Sequence, residues 1–321
     1  MGVTSERVTR TAAEGVPAVP RPLLHSVELA LFQALTTAAS VLPERLALAA
    51  GASLGWIAGS VLRIRRRAVE SHLALAFPQR AVTWRRRVAR TSYVHLGREA
   101  VATVRFSRMG ANEVVARTAM PDFAMFDEAL RAGAGVILLT GHLGNWEVGG
   151  AAFAARGVPL DAVAKGMAND SVHAGVSEVR RRLGFGLIDM NGAHRAGMRS
   201  LGKGRVVAML ADQNAHKAGI FISFFGKLAS TVEGPALLAL RTGAPIFLAI
   251  AYRSPQDGPM RYRVSVERVD FEPIGELDAD VRALTEAHCQ ALERAIRQAP
   301  EQYFWQHRRW KKRPDAERRS D

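Results

Sequence analysis

The sequence predicts one α/β domain with helices layered on a central, mostly parallel or mixed sheet, preceded by apolar, membrane-associated helices. Two observations carry the sheet. Short apolar runs bounded by glycine or polar residues recur in the second half of the chain and read as buried strands. Helical patterns alternate with them, which is how layered α/β folds are written. The 321 residues allow one large domain or two small ones. No internal repeat, low-complexity tract or break in composition asks for a second.

Residues 1–22 are polar, rich in Thr, Ala and Pro, and lack the apolar core of a signal peptide. They are expected to be a disordered leader. An apolar helical segment follows over residues 23–66. Residues 29–42 carry no charge, and Pro43 breaks the run. Residues 46–62 are uncharged for seventeen positions. As helix they span about 26 Å, short of a ~30 Å hydrocarbon core. Gly51, Gly55 and Gly59 repeat every four residues, so one face is smooth enough for a close helix neighbour. The stretch ends in Arg63-Ile64-Arg65-Arg66-Arg67, the pattern of an anchor at a cytoplasmic leaflet. Shallow insertion is favoured over a full span; a pair of core helices with a solvated basic end is the alternative.

The main domain runs over residues 67–314, and 315–321 form a polar tail. Residues 68–132 read as mostly helical, with a basic face at Arg85, Arg86, Arg87 and Arg90. Strands are expected at 135–140, 160–164, 205–211, 245–252 and 262–269. Helices are expected at about 145–156, 172–183, 193–202, 231–242 and 279–297.

Net charge is +14 and the pI about 10.9, so the surface attracts polyanions: nucleic acid, anionic lipid, a phosphorylated glycolipid or an acidic carrier protein. The single cysteine, Cys289, excludes an internal disulfide and a cysteine metal site. It lies in a helical pattern and reads as packing.

The sharpest feature is Thr140-Gly141-His142-Leu143-Gly144-Asn145-Trp146-Glu147, where a strand gives way to a helix. Ligands of open α/β sheets gather outside such strand ends. Gly141 and Gly144 suit a tight turn with backbone close to a ligand. In one helix His142 and Glu147 would point about 140° apart. Across a strand–turn–helix junction they can meet. Glu147 would then orient His142, whose other nitrogen takes a proton from a substrate hydroxyl. No serine completes a triad, so the substrate's hydroxyl is the nucleophile and transfer is direct.

These residues resemble the bacterial lipid A biosynthesis (late) acyltransferase family, within the lysophospholipid and glycerol-phosphate acyltransferase superfamily. The resemblance covers roughly 25–314. It rests on 67–78 with its Ala-Phe-Pro ending, 141–147, Ala211-Asp212-Gln213, Phe224-Phe225-Gly226, Gly234-Pro235-Ala236, and 300–311 (Pro-Glu-Gln-Tyr-Phe-Trp-Gln-His-Arg-Arg-Trp-Lys). It implies that His142 is the general base with Glu147 as acidic partner, that the donor is an acyl thioester on acyl carrier protein or CoA, and that the acceptor is a lipid A precursor at the cytoplasmic face of the inner membrane. Lysophospholipid, ornithine lipid and phosphatidylinositol mannoside are alternative acceptors. No cofactor, metal or nucleic acid is expected. A non-catalytic basic protein is the rival class.

Further substrate-binding candidates are Gly141, Asn145, Lys165, Arg182, Asp212 and Gln213. Arg182, with Arg180 close behind, matches a family arginine by its distance to Gly184. Nearby amides or Arg182 would stabilise the tetrahedral intermediate. Lys165 ends a candidate strand. Asp212 and Gln213 follow the strand 205–211 and stand beside His142 if the two strands are parallel neighbours. Residues 221–226 are apolar enough to line an acyl tunnel or to pack the core, and Glu233 is placed to cap a helix. The aromatics and cations of 303–312 suit single-stranded nucleic acid, a membrane interface, or docking of the chain end on the core; the resemblance leaves the last two.

Overall fold

The computed structural model describes residues 21–166, 169–215, 219–312 and 314. The tail 315–321 and all of the leader except residues 21 and 22 lie outside the described residues.

Four helices lead the chain: α1 (Arg21–Val41), α2 (Glu44–Trp56, continued by a π turn over Ile57–Val61), α3 (Arg66–Ala76) and α4 (Val82–Phe106). Pro43 cannot continue α1 and stands at the N-cap of α2. The glycine repeat is used inside the fold. A Cβ placed on Gly51 would lie 2.4 Å from the Gly97 carbonyl oxygen, and one on Gly55 2.1 Å from that of Tyr93. So α2 and α4 touch backbone to backbone, which only glycine permits. Along the same stretch Leu46, Leu54, Trp56, Val61 and Leu62 are left exposed. Together, α2 with its π turn and α3 are apolar enough to count as a broken span, bent by 89°; no single described helix is long and apolar enough to cross a membrane. At the bend Arg63 and Arg65 both hold φ of 53°, a left-handed conformation costing an L-residue about 1 kcal/mol or more.

After α5 (Ala111–Arg117), β1 (Thr118–Ala119) and α6 (Phe123–Arg131), the chain alternates: β2 (Val136–Thr140), α7 (Trp146–Ala154), β3 (Leu160–Ala164), α8 (Asp170–Arg182), β4 (Gly186–Asp189), α9 (Ala193–Leu201) and β5 (Val206–Leu210). A hairpin, β6 (Ile220–Phe224) and β7 (Lys227–Thr231), interrupts before α10 (Gly234–Thr242), β8 (Ile246–Arg253), β9 (Tyr262–Arg268) and α11 (Leu277–Gln298). The main sheet has the order β1-β9-β8-β2-β5-β3-β4. Every neighbouring pair is parallel except β8 and β9.

The central strands are buried on both faces, as parallel sheets require. Ile137 and Leu139 of β2 join a core with α10, α11 and Trp305, while Val136 and Leu138 join another with α6 and α7. The hairpin answers the reading of 221–226. Its two-residue turn is Phe225-Gly226 with φ of 52° and 71°, the positive pair a tight hairpin turn demands. Phe225 bears that conformation because its N–H donates to Glu293 Oε1 (2.6 Å) and its ring packs on Phe77 and Trp305. Ile222, Phe224 and Phe225 therefore pack the core. Glu233 does stand at the N-cap of α10, but its side chain makes no capping bond.

The chain end docks on the core. Tyr303, Trp305 and Trp310 are buried, Leu143 bridges Tyr303, and the Phe304 N–H donates to the His142 carbonyl (2.8 Å).

Candidate active site

The site forms where β2 and β5 end side by side. Their register pairs Thr140 with Leu210. His142 and Asp212 each lie two residues beyond that pair, so parallel pairing delivers them to the same point. The His142 N–H donates to Asp212 Oδ2 (2.8 Å), and His142 Nδ1 lies 2.7 Å from Oδ1. One carboxylate thus fixes both loop and ring. Burial opposes ionisation of Asp212, but the His142 imidazole and N–H, with Arg309 nearby, hold its carboxyl down at about 2. Ionised Asp212 keeps the proton on Nδ1 and leaves Nε2 with a lone pair. The Gln213 side-chain Nε2 is 3.1 Å from that nitrogen and donates to it.

Asp212, not Glu147, is therefore the orienting carboxylate. Glu147 is the second residue of α7 and turns away from the loop. It accepts from Arg180 Nη2 (2.7 Å) and Nε (3.0 Å) and from the Trp146 indole (3.2 Å). Trp146 touches both residues of the expected pair, its ring standing edge-on to His142 at 4.8 Å.

Arg182 is also displaced by its neighbour. Two positions along a helix turn a side chain by about 200°. Arg180 faces α7, while Arg182 is exposed and bonded to Glu178. Both arginines near Gly184 lie on α8, and the helix turns them to different partners. The amides of His142, Gly144 and Asn145 are spoken for, by Asp212, the Gln302 carbonyl and the Ala251 carbonyl.

Asn145 and Gly141 hold the loop in place. Asn145 is buried and caps α7: its Oδ1 accepts from the Val148 N–H (3.0 Å) and from Thr103, and its Nδ2 donates to Glu99 Oε2 (2.9 Å). Glu99 in turn takes Arg253 (2.9 Å) and the Tyr262 hydroxyl (2.6 Å). A Cβ on Gly141 would lie 2.7 Å from Leu292 Cδ1, and one on Gly144 2.1 Å from the Ala251 carbonyl. Lys165 is exposed just past β3, at the same sheet edge but with β5 between its strand and β2.

Two residues of the terminal block stand at the site without having been singled out from the sequence. Arg309 is buried and donates to the Ser230 carbonyl and the Thr231 hydroxyl (both 2.5 Å). His307 accepts from the Asn214 N–H, and burial pushes its pKa down to about 4. Both sit in the terminal Trp-Gln-His-Arg-Arg-Trp run, whose density of rare residues was the available signal. Behind Glu147 and Arg180 lies a largely apolar cavity of about 50 Å³ between α7 and the sheet, bounded by Gly149, Gly150, Phe153 and Phe185.

Fold and site together define an α/β protein with a histidine–aspartate pair at the carboxyl edge of a mostly parallel sheet. Residues 21–312 match the family described as bacterial lipid A biosynthesis acyltransferase, and the chain belongs to that family. It is 31% identical over 123 residues to the phosphatidylinositol mannoside acyltransferase of Mycolicibacterium smegmatis, covering 37% of this chain and 40% of that one. The Mycobacterium tuberculosis (strain ATCC 25618 / H37Rv) protein of the same name is 32% identical over 124 residues, 37% of this chain and 39% of its own. The chain thus matches about two fifths of the length of these mannoside acyltransferases. The lipid A biosynthesis lauroyltransferase of Escherichia coli (strain K12) is 23% identical over 269 residues, 83% of this chain and 85% of that one.

Proposed function

We propose that the protein transfers a fatty acyl chain from a thioester to a hydroxyl of a glycolipid, with His142 as general base. The observation that carries this is the double grip of Asp212 on His142, which aims a lone pair on Nε2 at the sheet edge. Among the described residues the nitrogen faces an amide of Gln213, not a hydroxyl or thiol. Burial pushes the Cys289 thiol up to about 12, which leaves it unreactive. The acceptor hydroxyl displaces Gln213, gives its proton to Nε2 and attacks the thioester carbonyl. The tetrahedral intermediate expels the thiolate, which takes the proton back from the imidazolium. Arg180 takes the role first given to Arg182, as the cation beside the developing oxyanion.

The donor is carried on acyl carrier protein, steered by the basic surface, or on CoA. Its acyl chain enters the apolar slot behind Glu147 and Arg180, which widens to admit it. The acceptor is a lipid A precursor, and the reaction belongs to the cytoplasmic face of the inner membrane. Support for the membrane is the exposed apolar side of α2 and the arginines that follow it. A second acceptor, a phosphatidylinositol mannoside, is favoured by the 31% local identity to the mycobacterial relative.

The test is incubation of the purified protein with acyl-carrier and acyl-CoA thioesters and each acceptor, read by mass spectrometry. Acylated glycolipid from the native chain and none from His142→Ala is expected. A folded His142→Ala protein with full activity would sink the mechanism.

A further inference from the structure

We propose that the arginine-lined depression at the bend between α2 and α3 is a binding site for the phosphate headgroup of an anionic phospholipid. The depression measures about 640 Å³. Arg63, Arg65, Arg66 and Arg67 reach it from the bend, Arg86 from α4 and Arg308 from the docked chain end. Glu70 is its single acidic lining residue and is already paired with Arg66 (2.8 Å). Among the described residues Arg63, Arg67, Arg86 and Arg308 have no ion-pair partner. Six guanidinium groups converging from three separate pieces of chain repel one another, and the fold spends two left-handed arginine backbones on bringing them there. An anion relieves that repulsion, and guanidinium forks match phosphate oxygens.

The apolar surroundings decide which phosphate. Trp56, Ile57, Val61, Leu62 and Ile64 are all exposed on the same stretch, and Leu62 and Ile64 alternate with Arg63 and Arg65. A free phosphate or an acidic protein face gains nothing from that border. A phospholipid in a bilayer satisfies both parts, with its headgroup among the arginines and the apolar residues at the acyl boundary. The site rests on the membrane reading above and sharpens it: the protein selects anionic lipid, and the bend sets the depth at which the sheet edge meets the surface.

The test is vesicle co-flotation of the full chain. Vesicles are phosphatidylcholine alone or phosphatidylcholine doped with phosphatidylglycerol. The native protein is expected to bind the doped vesicles more tightly, and R63Q/R67Q/R308Q to lose roughly 100-fold, at about fivefold per arginine. R195Q/R199Q/R241Q, the same charge change on α9 and α10, is expected to keep native binding. Thermal unfolding of both variants checks that they fold. Native protein that binds neither vesicle overturns the membrane reading and the site together. Equal binding to both vesicles keeps the membrane and overturns the headgroup site. The site is also overturned if the R63Q/R67Q/R308Q protein binds doped vesicles normally while its KM for the carrier thioester rises, which makes the depression a carrier dock, or if the control variant loses as much.

Discussion

Asp212 holds His142 by two bonds, one to the ring and one to the backbone N–H, and so sets the tautomer and the place of the imidazole with a single carboxylate. Asp212→Asn keeps the shape but puts a neutral amide where the anion stood. It is expected to lower kcat on the order of 10³–10⁴-fold, the cost of losing the tautomer and the imidazolium's counter-charge. Glu147→Gln is expected to cost less in kcat, because Glu147 acts on Arg180 and Trp146. Steady-state kinetics of the two purified variants checks this; a larger kcat loss in Glu147→Gln would return the orienting role to Glu147.

The contact between α2 and α4 makes a second prediction, on stability. A Cβ on Gly97 would sit 2.0 Å from the Gly51 carbonyl oxygen, with backbone on both sides and nothing flexible to yield. Gly97→Val is expected to destabilise the protein by about 3 kcal/mol or more. Gly110→Ala, where a Cβ meets nothing within 4 Å, is the control and is expected to change little. Denaturant unfolding of both variants measures the difference; equal midpoints would mean that the helices are free to move apart.

These two cases mark what was legible in the sequence. The five strands expected in the second half all form, because apolar runs such as Val136–Thr140 and the buried–exposed alternation of Tyr262–Arg268 are both strand patterns. The glycine repeat spoke of a close neighbour, and α4 is that neighbour. Both Asp212 and Glu147 could be seen, but the pairing of carboxylate with imidazole is set by the register of β2 on β5, seventy residues apart in sequence. The hairpin was missed because its turn is Phe-Gly: a phenylalanine at positive φ is stabilised by tertiary packing and leaves no local signal. Strand β4 is short and partly exposed, so it lacks the apolar run that marks the others.

Buried histidines should make the protein sensitive to mild acid. Burial pushes the pKa of His288 down to about 4, and that of His307 to about 4; burial lowers those of His72 and His95 as well. Each is neutral in the folded state where the unfolded chain, with an imidazole near 6.5, takes up a proton. The unfolded state therefore binds more protons as pH falls below about 6.5, and for the fully buried His288 stability drops by about 1.4 kcal/mol per pH unit until its folded value near 4 is passed; His72, His95 and His307 add losses of the same sign. Asp212 adds its own loss only lower, between about 4 and 2, as its depressed carboxyl protonates. Chemical denaturation across pH 7 to 4 checks the first window, with His288→Gln flattening the slope. His288 is the cleanest choice, since its Nε2 has no hydrogen-bond partner among the described residues. A native chain with constant stability over that range would contradict the burial of these imidazoles.

The slot behind Glu147 and Arg180 gives a prediction about chain length. Gly149 and Gly150 on α7 leave its wall without side chains on the side facing the sheet. A Cβ on Gly149 would stand 3.4 Å from the Ala251 Cβ, an ordinary contact, so Gly149→Val is expected to fold, with its methyl groups in space that an acyl chain would need. Gly150 is tighter, with Phe185 Cε1 at 3.0 Å, and is the poorer probe. Denying the donor two methylenes of burial costs about 1.6 kcal/mol, roughly 15-fold in kcat/KM for the longest chain accepted. Shorter donors do not reach the new side chain and keep their rate, so the preference moves to shorter chains while the kcat of the best substrate holds. Competition between acyl thioesters of graded length, read from the product mixture, measures the shift. An unchanged length profile in folded Gly149→Val would place the acyl chain elsewhere on the molecule.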